Sequence, residues 1–346
     1  MNIHDRMNHF NVPGVGIVYF GQLKPQWSQY LGVLQKGSAK TVNNKSIFHA
    51  CSISKMITSL CVLKLTQDGI LDLNKDVNDY LSSWKIPDND FTRQKQVTLA
   101  HLLSHQAGFY DVEGSFEPYK TSDKPPKAID ILQGTTSYHP EAVQVKYVPG
   151  TNFAYSDAGY SVIEQILEDV LGESISQLAK RLIFKPLQLR STFFWEIDKE
   201  LASQIDLSDC AVGHNRHGEI VAEIRACYPN IGGAALWTTP EELTTIVIDI
   251  IKAYQGMDSV ILKQELAKLM LTPFGCAKYA GMGVFLSEDK NGEPYFFSQG
   301  WGVGMQCKLR AYYKKQNGVI VMTNSEPGME QDRALIGEII ESVCEA

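Results

Sequence analysis

The sequence predicts an α+β protein: one antiparallel sheet assembled from both ends of the chain, flanked by helices, with a helical middle. Three observations carry this. Runs rich in β-branched and aromatic residues lie near the start, in Val15 to Phe20, Tyr30 to Leu34 and Ile47 to Ala50, and return near the end in Tyr295 to Ser298, Met305 to Ala311 and Val319 to Met322. Between these ends the apolar residues recur at helical spacing. The late strands are punctuated by Asn291-Gly292 and Asn317-Gly318, dipeptides that favour hairpin turns.

The elements follow in order. Pro13-Gly14 opens the first strand. From Ile53 the period changes: Ile53, Met56, Ile57, Leu60, Leu63 and Leu65 repeat every three to four residues, and Asp68-Gly69 closes the helix, with Gly69 suited to the left-handed position after a helix end. Val77 to Leu81 is short and turn-rich. Thr98 to His105 reads as a short helix opened by a Thr cap. Asp111 to Pro149 is irregular and rich in Pro and Gly, the kind of long loop that often walls a pocket. Helices are expected at Ser161 to Leu171, stopped by Gly172, and at Glu173 to Phe184, Glu241 to Tyr254 and Lys263 to Leu271. In Met305 to Ala311 apolar residues alternate with Gln306, Lys308 and Arg310, a half-buried strand, and Glu330 to Val343 forms a final amphipathic helix.

Composition bounds the function. At 346 residues the length suggests about two units at roughly 150 residues per domain, and enough chain for a core without disulfide or metal staples. The formal net charge is −7. Without a basic excess to neutralise phosphates, nucleic acid is not an expected partner. No apolar run reaches the ~18–20 residues of a membrane span. The polar start, Met1 to Arg6, lacks an apolar signal core, so the expected location is cytoplasmic, or exported if a leader has been removed. The 7 Cys are odd in number, widely spread and form no C-x-x-C; they read as free, reduced thiols.

Ser52-Ile53-Ser54-Lys55 is the pattern with most chemical content. Alone it is weak, and Ser82-Ser83-Trp84-Lys85 matches it too, but that copy precedes Ile86-Pro87 and reads as a solvated loop. Ser52 instead opens the most apolar helix of the chain. Residues three apart share a helix face, so Lys55 stands one turn from Ser52. Free N–H groups at a helix start can stabilise an oxyanion, and a buried lysine that loses its proton can activate a serine. The bland reading makes Ser52 an N-cap and Lys55 a snorkelling surface cation. On these residues alone the two readings stand about level. Other candidates weigh less. His101 and His105 have an i, i+4 spacing that suits a metal, but no Glu lies between them; no metal and no cofactor are expected. His214 and His217 read as a solvated turn. Cys51 reads as a buried structural thiol. Gly232-Gly233 lacks the strand-to-helix context of a nucleotide loop. Tyr110, Tyr119 and Trp301 are candidates to line a pocket.

Further blocks follow in order: Ser46 to Lys55, Leu71-Asp72-Leu73-Asn74, His101 to Gly108, Pro149 to Asp157, Leu236-Trp237-Thr238-Thr239-Pro240 and Gly300-Trp301-Gly302-Val303-Gly304. Together they resemble the serine β-lactamase and penicillin-binding-protein-like hydrolases, the class C-type branch with its D-aminopeptidases, DD-peptidases and esterases, over about Pro13 to Glu341. The resemblance implies a β-lactamase/transpeptidase-like fold. It implies one catalytic unit over residues 1–346, with a sheet part near 1–60 and 275–346 and an all-helical part near 61–274.

The resemblance further implies that Ser52 is the nucleophile, Lys55 its base and Tyr155 a proton shuttle to the leaving group. Asp157 stands where the family usually has Asn. An ionised carboxylate there would pair with Lys55, hold it protonated and shift base duty toward Tyr155. The third element falls on Ser298-Gln299-Gly300, with the Trp301 N–H joining the Ser52 N–H as the oxyanion pair. Gly300 would let a substrate lie along the strand edge. Ser298 lacks the cation that many relatives use to hold a substrate carboxylate. The expectation is therefore a serine hydrolase working through an acyl-enzyme on a small ester, amide or peptide. A β-lactamase, an acyltransferase and a non-catalytic binding or scaffold protein are the alternatives.

Overall fold

The structure, a computed structural model, describes residues 1–119, 125–195, 206–221 and 225–344. Nine strands run β1 Gly14–Gly21, β2 Lys24–Gly32, β3 Phe48–Cys51, β4 Phe193–Phe194, β5 Leu236–Thr238, β6 Phe285–Glu288, β7 Pro294–Gly302, β8 Met305–Tyr312 and β9 Asn317–Thr323. The helices are α1 Ile3–His9, α2 Ser54–Gln67, α3 Leu99–Leu103, α4 Ala128–Leu132, α5 Asp157–Leu171, α6 Ile175–Ala179, α7 Ile231–Ala234, α8 Pro240–Tyr254, α9 Gln264–Met270 and α10 Leu335–Cys344.

Six strands form one antiparallel sheet in the order β2-β1-β9-β8-β7-β6. The first two strands of the chain thus pair with the last four, as the pattern at both ends predicts. Its period-two alternation serves two cores. Val15, Ile17, Val319 and Val321 point to one face, where Met7 of α1 and Leu335, Ile336, Ile339 and Ile340 of α10 cover them. Each such fully buried side chain contributes roughly 1.5–3 kcal/mol. The opposite face carries Phe20, Leu309, Ile320 and Met322 into the main core, to which α2 also belongs. That helix is buried nearly all round, which fits an all-apolar helix at the centre of a protein rather than on its surface. The middle of the chain is helical but also supplies β4 and β5, which pair with β3 in a second sheet of order β3-β5-β4. Thr239 caps α8 by accepting from the Glu242 N–H at 3.1 Å, with Pro240 in the first turn.

Five boundaries differ from expectation. β2 begins at Lys24, not Tyr30, because its outer residues are polar and exposed, as befits an edge strand. Its hairpin turn is Gln22-Leu23, with φ of 52° and 58°, a left-handed pair that gives no Asn-Gly signature. Asn317-Gly318 is not a turn: the reversal uses Tyr313 to Gln316, and Gly318 sits inside β9, where a Cβ would lie 2.5 Å from the Arg310 carbonyl oxygen. α5 starts four residues early, capped by Ser156 on the Gly159 N–H at 3.1 Å. The predicted Glu173 to Phe184 helix changes after Ala179 to a π-helical turn over Lys180–Phe184, and the last helix is preceded by a separate 3₁₀ turn, Gln331–Arg333.

Candidate active site

β3 ends at Cys51, whose φ of 47° is unusual for a residue with a side chain. The chain turns sharply there, and Ser52 lies in the turn just before α2. Ser52 is not the cap: the cap position is Ile53 and has no side-chain hydrogen bond. Cys51 is 2% exposed and burial pushes its thiol well above the ordinary range, so it is no rival nucleophile.

Lys55 is 3% exposed, which removes the snorkelling reading. Its Nζ donates to Asp157 Oδ1 at 2.6 Å, to the Gly233 carbonyl at 2.8 Å and to Ser52 Oγ at 3.4 Å. It also lies 4.9 Å from the centre of the Tyr155 ring. Burial alone would lower its pKa, but the Asp157 carboxylate and Tyr155 outweigh burial and raise it. Lys55 is an ammonium at neutral pH, as the aspartate at position 157 leads one to expect. Asp157 Oδ1 also accepts from Asn230 Nδ2 at 2.7 Å.

Tyr155 is 40% exposed, yet its hydroxyl end interacts with both Ser52 and Lys55. Loss of water there raises its pKa, Lys55 opposes the rise and Asp157 adds to it. Its ring stacks on His105, 4.4 Å between centres. His105 is buried, and desolvation with the nearby Lys55 charge takes its pKa down to about 3, so it is a neutral platform. Its Nδ1 accepts from the Ser156 N–H at 3.2 Å. The i, i+4 pair with His101 never forms one helix face, because α3 stops at Leu103 and His105 turns back with φ of 58°. His101 instead completes the Thr98 capping box.

Sequence reasoning missed three supports. Asp111 accepts from Ser156 Oγ at 2.8 Å, from the Asp157 N–H at 2.6 Å and from the Ala158 N–H at 3.2 Å. A second carboxylate thus pins the turn that presents Tyr155 and Asp157, at the start of α5 where negative charge is favoured. Burial and the neighbouring Asp157 push its pKa up. Asn230 and Gly233 are the others. Gly232 is clamped by Glu164 Oε1 and Thr58 Oγ1, at 2.7 and 2.8 Å, and this holds the Gly233 carbonyl on Lys55. A side chain at Gly233 would sit 2.4 Å from Asn230 Nδ2. The only sequence trace of this clamp was an unexplained Gly-Gly pair.

β7 closes the site. Ser298 and Gln299 line a hollow of about 20 Å³ with Ser52, Lys55, His105 and Tyr155. Gln299 Oε1 is buried without a partner among the described residues. Gly300 is buried against β3: a Cβ there would lie 2.2 Å from the Ala50 carbonyl oxygen and 2.9 Å from Cys51 Cβ. Its lack of a side chain allows close backbone approach to the nucleophile's strand, and β6 pairs with β7 only as far as Phe297, so Ser298 to Gly302 have no β6 partner along that edge. Gln331 Nε2 donates to the Gly300 carbonyl at 2.9 Å. Trp301 is 43% exposed and lines a larger cavity of about 330 Å³ that Ser52 also lines. Of the lesser candidates, Tyr119 is buried and Tyr110 is exposed. His214 is buried, not solvated, its Nδ1 on the Asn324 carbonyl at 2.8 Å and its Nε2 accepting from the Lys36 N–H at 3.1 Å. Ser82 and Lys85 lie outside regular helix and strand. The seven cysteines are unpaired. No described helix is long and apolar enough to cross a membrane.

A serine at the mouth of a buried helix, with a lysine one turn on and an antiparallel sheet closed by both chain ends, defines the serine-lysine class of the β-lactamase fold. The chain matches the Beta-lactamase family model over residues 2–342 and belongs to that family. It is 26% identical over 192 residues to the N-acetylmuramyl-L-alanine amidase of Bacillus subtilis (strain 168), covering 55% of this chain and 41% of that protein. It is 28% identical over 186 residues to penicillin-binding protein 4 of Amycolatopsis lactamdurans, covering 53% and 45%. The chain spans less than half the length of these curated relatives. Its fold matches the octameric penicillin-binding protein homologue from Pyrococcus abyssi with a TM-score of 0.77 at 21% identity, over 99% of this chain and 76% of that one. It also matches a Yersinia pestis beta-lactamase/D-alanine carboxypeptidase in complex with citrate, with a TM-score of 0.74 at 19% identity, over 99% and 95%.

Proposed function

We propose that the chain is a serine hydrolase that works through an acyl-enzyme on a small ester, amide or peptide, and that residues 1–346 act as one catalytic unit. The observation that carries this is the Lys55 ammonium, buried yet held 3.4 Å from Ser52 Oγ, at a seat that opens on a cavity. In this reading Ser52 Oγ attacks the carbonyl carbon and passes its proton to Tyr155 as the phenol's own proton goes to solvent. The adjacent Lys55 ammonium stabilises the phenolate that this requires. Tyr155 then protonates the leaving group, and the same residue activates water for deacylation. The backbone N–H groups of Ser52 and Trp301 serve as the oxyanion donors. Ser298 supplies no cation for a substrate carboxylate, so uncharged esters or amides are preferred over β-lactams and carboxylate-ended peptides.

Intact-mass labelling with a fluorophosphonate tests the reading. An adduct that is lost in Ser52→Ala supports it; no adduct anywhere between about pH 6 and 9 sinks it. One observation favours a second reading: the short Lys55–Asp157 contact locks the lysine's charge, as a binding or scaffold relative that no longer needs a base would tolerate. That reading predicts no adduct.

A further inference from the structure

The larger cavity carries charge that the chemistry at Ser52 does not use. Glu117, from the irregular stretch after α3, and Glu326, just beyond β9, both line it together with Ser52. Neither has an ion-pair partner among the described residues, and no described lining residue is Lys, Arg or His. Asp157 also lines it, but its charge is matched by Lys55 at 2.6 Å. Two carboxylates without an ion-pair partner among the described residues therefore line one recess, Glu117 exposed and Glu326 half-buried. The wall adds acceptors of other kinds. Asn230 is 1% exposed and its Oδ1 has no hydrogen-bond partner. Tyr228, Phe116 and the half-open indole of Trp301 supply aromatic surface. Carboxylates beside aromatic faces are the combination that attracts an ammonium, by Coulomb attraction and by the ring quadrupole.

The cavity's place in the reaction follows from Tyr155. The group that protonates a leaving group must sit beside it, and Tyr155 lines the small hollow, not the cavity. The larger cavity, which Ser52 also lines, is thus assigned to the acyl part. At about 330 Å³ it is near the lower end of small-molecule sites, with room for a short acyl group.

We propose that this enzyme prefers acyl donors that carry an ammonium group, held by Glu117 and Glu326 against the aromatic wall of the cavity. The proposal rests on the hydrolase reading for its place in turnover, but the cavity's charge preference is measurable without turnover. The first measurement compares p-nitrophenyl esters of ε-aminocaproic, caproic and adipic acids. Their acyl chains end in an ammonium, a methyl and a carboxylate. The expected order of kcat/KM is ammonium, then methyl, then carboxylate, with about tenfold between the first two. The ammonium-to-methyl ratio falls toward one in the double variant Glu117→Gln, Glu326→Gln, and shrinks as salt rises. Equal rates, a carboxylate preference, or a ratio that survives the double variant overturns the proposal.

The second measurement titrates Ser52→Ala with the matching p-nitroanilides. An ammonium preference that disappears with Glu117→Gln, Glu326→Gln supports the cavity assignment even if no ester turns over, in which case only the hydrolase reading fails. No preference in that titration overturns the proposal.

Discussion

The two recesses that meet at Ser52 differ in size and in how their charges are balanced. On the Tyr155 side the hollow is about 20 Å³, and its Lys55 and the carboxylates behind it are all partnered, although Asp157 also borders the larger cavity. Lys55 has Asp157, Asp157 has Asn230, and Asp111 takes three donors. On the Trp301 side the cavity is about 330 Å³ and its glutamates face none. On the proposed function the difference is a division of labour. Groups proposed to move protons are satisfied within the fold, which fixes their geometry before substrate arrives. Groups proposed to recognise substrate are left without a partner until it does.

Four variants break or sharpen this contrast, from largest effect to smallest. Ser52→Ala removes the atom both recesses share. Its kcat on any ester is expected to fall by at least about 10⁴-fold, measured with p-nitrophenyl esters; a modest loss would mean the two recesses do not meet at the nucleophile. Lys55→Met leaves Asp157 without its cation in the satisfied recess. A loss of about 3–5 kcal/mol is expected, read by denaturant unfolding. Lys55→Met with Asp157→Asn should recover much of it, and failure to recover would mean the pair is not balanced as described. Gly300→Ala puts a Cβ 2.2 Å from the Ala50 carbonyl oxygen. It should cost about 1–3 kcal/mol and lower kcat through the displaced β3, with a thermal melt and steady-state kinetics as readouts. Asp157→Asn has the smallest and most specific effect. Asp157 raises the pKa of both Lys55 and Tyr155, so its removal lowers both and the basic forms appear at lower pH. The alkaline rise of kcat/KM should then move toward neutrality. A limb that stays put would show that neither group is the base.

Much of the fold is readable from the sequence because its signals are local. The buried α2 shows a helical period without a break, and β8 shows strict alternation. The first half of β2 and all of β4 escape notice, since an exposed edge strand and a two-residue bridge have no apolar pattern. At the site, Ser52, Lys55, Tyr155 and Asp157 are legible as motifs. The Asp157 substitution even gives away the state of the lysine. Asp111, Asn230 and the clamp on Gly233 are not legible, because each acts across long stretches of chain through one or two hydrogen bonds. Gly300 is legible as a residue, but its close approach to β3 is not, because that contact joins segments far apart in the chain.

The Gln331 bond to Gly300, with the Cys307 thiol on the Ala50 carbonyl at 3.0 Å, ties the turn before the final helix to the strand that ends at the nucleophile. Ser52 is made early in synthesis, but its seat is assembled from residues made near the end. Chains emerge from the ribosome N-terminus first, so a nascent or C-terminally clipped chain carries the reactive serine without the scaffold that arms it. A chain cut before Gln331 therefore loses a bond to Gly300, and its damage is expected at the seat of Ser52 rather than at the cut.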